Sequence, residues 1–360
     1  MSKYKICVYA ICKNEEKFVK SWYNSVRDAD LVIVVDTGST DNTVSSLKNE
    51  GVTVYEKTFT PWRFDEARNY SLSLIPDDFD ICICTDLDEI IEDNWREILE
   101  NNWQKDTDRA SYRYTWNYND DGSEGYVFWI DKIHSRKNFI WKNPVHETLI
   151  FTENRKCNYI FPEGIQVSHH ADKEKPRSQY LPLLELAQKE NPEDDRITHY
   201  LGREYMYYQM WDKCIDMFLK HLSLPNAKWN DERAASMRYM AKAYAAKGDD
   251  KNTNFWFLNS IAQAPNLREP YTDYAVYLYS KNEWEGMIYF CKCAINITNR
   301  SKSYINEADS WGFLPYDLLA IAYYNIGNYE NANKYSETAL KYAPLNNRLI
   351  NNDKFYKEKI

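Results

Sequence analysis

Four residues in the second half of the chain recur in a fixed frame. Ala241, Tyr244, Gly248 and Pro265 return at identical offsets as Ala320, Tyr323, Gly327 and Pro344. In such a frame small residues let paired helices approach, Gly turns the chain, and Pro ends the second helix of each pair. Gly202 with Tyr205, and Ala275 with Ala294, fit the frame more loosely. Beyond Pro176 the spacing predicts an almost entirely helical region of about four helix pairs, with an insertion at residues 299–311. Stacked pairs bury a continuous core and present an extended concave surface to another chain.

The N-terminal part has a different grammar. Residues 6–11 are apolar and short enough for a strand, and 15–25 place Phe18, Trp22 and Val26 at helical spacing. Residues 31–35 are a continuous apolar run, as in a strand covered on both faces. Ser39-Thr40-Asp41-Asn42 supplies helix N-cap residues ahead of a helix at 43–49. A strand at 52–55, a helix at 67–74 and a strand at 80–85 follow. This alternation predicts an α/β fold built on a parallel sheet. Between 101 and 167 the pattern turns to aromatic strand-like runs: Tyr112-Arg113-Tyr114-Thr115-Trp116, Tyr126-Val127-Phe128-Trp129 and Asn158-Tyr159-Ile160-Phe161. Asp120-Asp121-Gly122-Ser123 reads as a hairpin turn between two of them, so this stretch is mixed β. The expected domains are 1–175 and 176–360.

Charge and cysteine usage narrow the function classes. The 45 basic and 54 acidic residues leave a net charge of −9, which argues against a nucleic-acid surface and leaves room for a small positive nucleotide pocket. No stretch approaches the roughly 20 apolar residues of a membrane span. The N-terminus, Met1-Ser2-Lys3-Tyr4-Lys5, lacks the apolar core and cleavage site of a signal peptide. Eight cysteines in such a chain read as reduced thiols, and a cytoplasmic location is expected. Cys82/Cys84 and Cys291/Cys293 have C-x-C rather than zinc-knuckle spacing, and Cys82 and Cys84 share one face of a buried strand.

The chemistry gathers at strand ends. The run Asp80-Ile81-Cys82-Ile83-Cys84-Thr85 stops abruptly in Asp86-Leu87-Asp88-Glu89. On an α/β sheet, ligands bind just outside the carboxyl ends of the strands. Carboxylates there are placed to hold a hard divalent cation against a phosphate. Ile11-Cys12-Lys13-Asn14-Glu15-Glu16 follows the first strand, and Val34-Val35-Asp36-Thr37-Gly38-Ser39-Thr40-Asp41-Asn42-Thr43 ends the second. Asp36 is suited to accept hydrogen bonds from a nucleobase, Gly38 permits a tight turn, and the next helix N-terminus favours anionic groups.

In this order and spacing, those three motifs resemble a family 2 glycosyltransferase with the nucleotide-sugar-binding GT-A fold. The resemblance covers about residues 4–175, and the helical frame behind it resembles the tetratricopeptide repeat. Several bacterial family members carry such an extension, among them enzymes that attach sugar to bacteriocin precursors. His199-Tyr200-Leu201-Gly202-Arg203-Glu204-Tyr205 looks like its start.

The resemblance implies roles. Ile11, Lys13, Glu15 and Asp36 would hold the base and ribose of the donor, and Arg68-Asn69 would face the nucleotide, although Arg68 could instead pair with a structural carboxylate. Asp86 would contact the ribose or a metal-bound water, and Asp88 would coordinate Mn²⁺ or Mg²⁺ on the diphosphate. Trp141-Lys142-Asn143-Pro144-Val145-His146-Glu147 resembles the W-x-x-x-V-H-E run of repeat-bearing relatives. Glu147 is the candidate base and His146 its orienting or phosphate-contacting neighbour, with Asp120, Asp121 and Glu124 as rival carboxylates. His170 is preferred over His169 as a further metal ligand; alternation from Val167 turns the two in opposite directions without saying which faces inward. His134, His199 and His221 read as structural.

The implied activity is metal-dependent, inverting transfer of a hexose from a nucleotide diphosphate sugar, a UDP-sugar for preference. The acceptor would be a peptide or protein, or a surface glycan. The repeats would present that acceptor or build a homodimer. An inactive scaffold is the non-enzymatic alternative. A nucleotidyltransferase would carry a Gly-rich basic loop where this chain has Lys13-Asn14-Glu15. The aromatic middle segment is open to two uses, stacking on sugar rings or ordinary core.

Overall fold

The computed structural model describes residues 3–118, 122, 124–172, 178–301 and 303–359. It divides into two compact units, Met1–Ala187 and Gln188–Ile360. The expected boundary at Lys175 and Pro176 lies outside the described residues.

The first unit alternates β1 (Ile6–Cys12), α1 (Glu16–Val26), β2 (Leu31–Asp36), α2 (Thr43–Asn49), β3 (Thr53–Glu56), α3 (Phe64–Ser73) and β4 (Ile81–Cys84). There follow β5 (Glu89–Ile91), α4 (Trp95–Asn102), β6 (Arg109–Thr115), β7 (Val127–Ser135), β8 (Phe139–Lys142), β9 (Thr148–Phe151), β10 (Tyr159–Ile160) and β11 (Gln166–His169). α5 (Tyr180–Glu190) spans the division between the units. α3 begins at Phe64, ahead of the expected residue 67. Asp65 and Glu66 in its first turn suit the positive end of the helix dipole.

Nine strands form one sheet, in the order β3-β2-β1-β4-β7-β6-β11-β5, with β10 beside β6. β1 pairs in parallel with β2 and β4, whereas β7 is antiparallel to both β4 and β6. β6 therefore runs with β4, and β11 runs parallel to β6. The carboxyl ends of β1, β2, β4, β6 and β11 consequently share one edge. The expected hairpin is β6–β7, closed by a bridge between Tyr118 and Glu124. Asp120, Asp121 and Ser123 of its turn lie outside the described residues.

β1 is buried along its whole length because both faces of the sheet are covered. Ile6, Val8, Ala10 and Cys12 pack with Trp22 of α1, Leu47 of α2 and Trp95 of α4. Cys7 and Tyr9 face the other side, with Leu72 of α3, Cys82, Cys84, Phe139 and Trp141. Cys82 and Cys84 are core residues, as their spacing predicts. His134 is buried between the Tyr9 hydroxyl, 2.9 Å from Nε2, and the Ser135 carbonyl, 2.7 Å from Nδ1.

The second unit is helical: α6 (Asp195–Tyr207), α7 (Trp211–Ser223), α8 (Asn230–Ala246), α9 (Asp250–Gln263), α10 (Arg268–Ser280) and α11 (Trp284–Asn296). α12 (Ala308–Trp311) lies in the expected insertion, followed by α13 (Leu314–Asn325), α14 (Tyr329–Tyr342) and α15 (Asn347–Lys357). The four predicted pairs are α6–α7, α8–α9, α10–α11 and α13–α14, a tetratricopeptide-like arrangement. The repeated residues do equivalent work. Ala241 and Ala320 are fully buried, and Gly248 and Gly327 turn the chain at φ 76° and 78°. Asp249 and Asn328 then cap the next helices, accepting from the amides of Asn252 and Asn331 at 3.0 and 3.1 Å. At Gly202 a Cβ would stand 2.7 Å from the Phe218 ring, so only glycine lets α6 and α7 meet there. Among the described residues no helix is long and apolar enough to cross a membrane.

Candidate active site

The shared strand edge gathers most of the residues expected there. β1 ends in Ile11 and Cys12, and beyond them Asn14 adopts φ 56°. The Asn14 amide donates to Ser39 Oγ at 2.8 Å, and its side-chain oxygen accepts from the Thr40 amide at 2.7 Å. Glu15 is buried and its amide donates to Thr43 Oγ1 at 2.7 Å, while Lys13 is exposed. The Asp36 carboxylate, only 3% exposed, accepts from the amides of Gly38 and Ser39 at 3.0 and 2.9 Å and from the Ser39 hydroxyl. Asp36 thus holds its own loop in shape and ties it to the end of β1.

Arg68 is the centre of the charge network. Its guanidinium, 4% exposed, bonds Asp86 at 2.8 Å, Glu147 through Nε, and Cys84 Sγ at 3.3 Å. Burial alone would favour the neutral form, but the charges of Asp86 and Glu147 outweigh it and hold Arg68 firmly cationic. Burial would likewise raise Asp86, yet Arg68 and Lys132 hold it well below the usual carboxylate range. His146, at φ 50°, turns the chain just before Glu147, and its ring lies 5.9 Å from that of Tyr180. Asn69 is spent elsewhere. Its side chain clasps both main-chain groups of Trp141, at 2.8 and 2.9 Å, fixing α3 to β8.

The acidic turn is stiffened from beneath. Glu89 accepts from the Asp86 amide at 3.0 Å, the Tyr114 hydroxyl at 2.7 Å and Lys132 Nζ at 3.0 Å. Lys132 also reaches Asp86 at 3.4 Å. Lys132 was not among the expected site residues. The one signal for it is a lysine set among the aromatic and β-branched residues of β7.

Asp88 faces His169 rather than His170. His169 Nε2 lies 3.6 Å from Asp88 Oδ2, and its Nδ1–H donates to the Trp116 carbonyl at 2.8 Å. That bond turns Nε2 toward Asp88, the orientation of an imidazole positioned by a main-chain carbonyl for a metal. His170 is exposed; its ring stacks 5.8 Å from Tyr118, and only its amide meets Asp88, through the carbonyl at 2.7 Å. Among the described residues no three His, Cys, Asp or Glu side chains form a metal cage. A two-residue site of Asp88 and His169 leaves its remaining positions to phosphate and water oxygens; the carboxylate suits Mg²⁺ or Mn²⁺, and the imidazole suits a transition metal such as Mn²⁺ better than Mg²⁺. Glu124, one of the rival carboxylates, is paired with Arg113 and Thr115 in the hairpin.

Residues 7–156 match the family model described as glycosyl transferase family 2. The chain carries a family 2 glycosyltransferase domain followed by a tetratricopeptide-like helical region. Enzymes of that family use nucleotide-sugar donors and often a divalent metal. No curated protein matches the chain. Among solved structures the chain is similar to MamA, with 17% identity over 45% of this chain and 79% of that one, at a TM-score of 0.36. It is similar to yeast Tom70 at 17% identity over 52% of this chain and 37% of that one, with a TM-score of 0.41. YrrB, described as a TPR protein with an unusual peptide-binding site, is similar at 13% identity over 49% of this chain and 83% of that one, with a TM-score of 0.36.

Proposed function

We infer, from the family 2 glycosyltransferase domain at residues 7–156, that the protein moves a hexose from a UDP-sugar to an acceptor with inversion at the anomeric carbon. The observation that carries the reading is the Asp88–His169 pair at the carboxyl edge of the sheet, beside the Arg68 network. Asp88 and His169 would hold Mn²⁺ or Mg²⁺. The cation, when bound, supplies charge neutralisation for the departing diphosphate.

The chain's own residues do the rest. The loops at residues 11–15 and 36–40, cross-tied through Asn14 and Asp36, line the base and ribose. Arg68 holds Asp86 through Nη2 and Glu147 through Nε of one guanidinium. The acceptor's nucleophile attacks the anomeric carbon as the bond to the diphosphate breaks. Its proton passes to the Glu147 carboxylate, the candidate base, which Arg68 and the turn at His146 orient. The acceptor is a peptide or protein held by the helical repeats. The eight cysteines are all free, six of them buried, which suits a reducing, cytoplasmic setting.

The test is a thermal-shift panel of UDP-, GDP-, dTDP- and CMP-sugars, each with Mn²⁺ and with chelator. A ligand that binds only the native state raises its apparent stability. Stabilisation by the UDP series alone, abolished by chelator, is expected; no stabilisation by any nucleotide sugar overturns the reading. Glu147→Gln should keep the nucleotide response and lose transfer. Undiminished transfer would remove Glu147 as the base.

A further inference from the structure

Trp116 leaves β6 at the same edge, with its ring against that of His169. Its main chain is held twice: the amide donates to the Tyr126 carbonyl at 2.8 Å, and the carbonyl accepts from His169 Nδ1. Asn117 then closes the hairpin, with its carbonyl accepting from the Gly125 amide at 2.8 Å and its side chain from the Tyr126 amide at 2.9 Å. A Cβ at Gly125 would stand 2.6 Å from that side chain, so the hairpin is closed to anything larger than glycine. The indole is thus carried on a fixed frame. Its ring centre lies 4.6 Å from that of His169 and 6.5 Å from that of Phe128, yet the residue stays 49% exposed.

An indole packed on one side and open on the other, beside the residues that would hold the diphosphate, is a platform without its cover. The faces of an indole are electron-rich, and a pyranose ring presents a face of polarised C–H groups that stacks on them. Tyr118 packs instead against the Ser168 and His170 side of β11. Its hydroxyl donates to Ser168 Oγ at 2.7 Å, its ring stacks on His170, and it is 37% exposed.

We propose that Trp116 is the floor of a hexopyranose subsite next to Asp88 and His169. The proposal rests on the glycosyltransferase reading above and adds where a sugar ring sits. That ring is the hexose of the donor or a sugar already carried by the acceptor polypeptide, and the two are separated by the probes used.

Full-length protein and its Trp116→Ala and Trp116→Phe variants would be titrated calorimetrically, with Mn²⁺, against UDP and against UDP-glucose, UDP-galactose and UDP-N-acetylglucosamine. Methyl β-glucoside would then be titrated into UDP-saturated protein. For a donor sugar, Trp116→Ala weakens the preferred UDP-hexose about tenfold and leaves UDP unchanged, and Trp116→Phe restores most of the loss. For an acceptor sugar, the same variant weakens the glucoside and spares both nucleotides. Unchanged binding of every probe, or an equal loss for UDP and UDP-hexose, overturns the subsite. If the parent protein binds neither UDP nor any UDP-hexose, it is the donor assignment that fails, and the subsite with it.

Discussion

In the sheet unit Arg68 is buried against two carboxylates, Asp86 and Glu147; in the helical unit Arg238 is buried against two others, Asp273 and Glu307. Each network recruits a second cation or donor. Lys132 joins Asp86, Lys242 joins Asp273, and the Tyr239 hydroxyl joins Glu307. Judged by burial and charge alone, the two arginines are equivalent. What separates them is the topology around them. Arg68 ties α3 to the loop after the parallel strand β4 and to the turn of the antiparallel β8–β9 hairpin, beside Asp88 and His169. Arg238 ties α8 to α10 and to the insertion before α12, where Tyr304 also bonds Glu232. A buried arginine with two acids is therefore no signature of a site; its place in the fold decides.

The largest effect expected is on chemistry. Asp88→Ala should lower UDP-hexose-dependent transfer by about a thousandfold while shifting the thermal midpoint by only about 2 °C, because Asp88 supports ligands rather than the core. A folded Asp88→Ala protein with full activity would sink the metal assignment. The paired variants Arg68→Ala and Arg238→Ala test the comparison itself. Each strands buried carboxylates and should cost about 3–5 kcal/mol in denaturant unfolding. Only Arg68→Ala should also lose stabilisation by the nucleotide sugar, and loss of that response in both would erase the distinction.

A third effect belongs to His134. Burial holds its pKa down to about 3, against an ordinary value of 6.5. Between those values the unfolded chain takes up a proton that the native state refuses, so stability falls as pH drops through that window, by at most about 5 kcal/mol. The helical unit has a carboxylate instead: burial would raise Glu232, but His221 and Tyr304 help hold it at about 2. Its contribution is present above the ordinary carboxylate range and is lost as pH falls toward 2. Acid melts of His134→Gln should flatten the slope between pH 6.5 and 3; an unchanged slope would assign it to other groups. The smallest effect is steric. Gly202→Ala should cost about 2 kcal/mol through the Phe218 contact, with nucleotide binding untouched.

Much of this was legible in local sequence. Continuous apolar runs marked β1, β2 and β4, and the residues just past them marked the site, because a parallel strand delivers its next residues to the binding edge. Gly248 and Gly327, with the alanines and prolines at equal offsets, marked the repeat because a tight turn and a helix stop are properties of a few adjacent residues. The site partners were less legible. Alternation along β11 put His169 and His170 on opposite faces without saying which faced Asp88. The register of β11 against β5, which sets His169 opposite Glu89, made that choice. Asn69 sat beside Arg68 in the motif, yet its side chain is consumed by Trp141.

By itself, then, the sequence determined the two kinds of architecture, the strand ends that carry the chemistry, and the helix pairs with their insertion. Those follow from periodicity and backbone preference, which act over a few residues. Tertiary structure alone decided that Glu147 meets Arg68 across 79 positions of chain, that Lys132 of an antiparallel strand reaches Asp86, and that Trp116 stands exposed beside His169. Pairing between distant segments depends on strand order and register, and those are settled only when the whole sheet closes around its core.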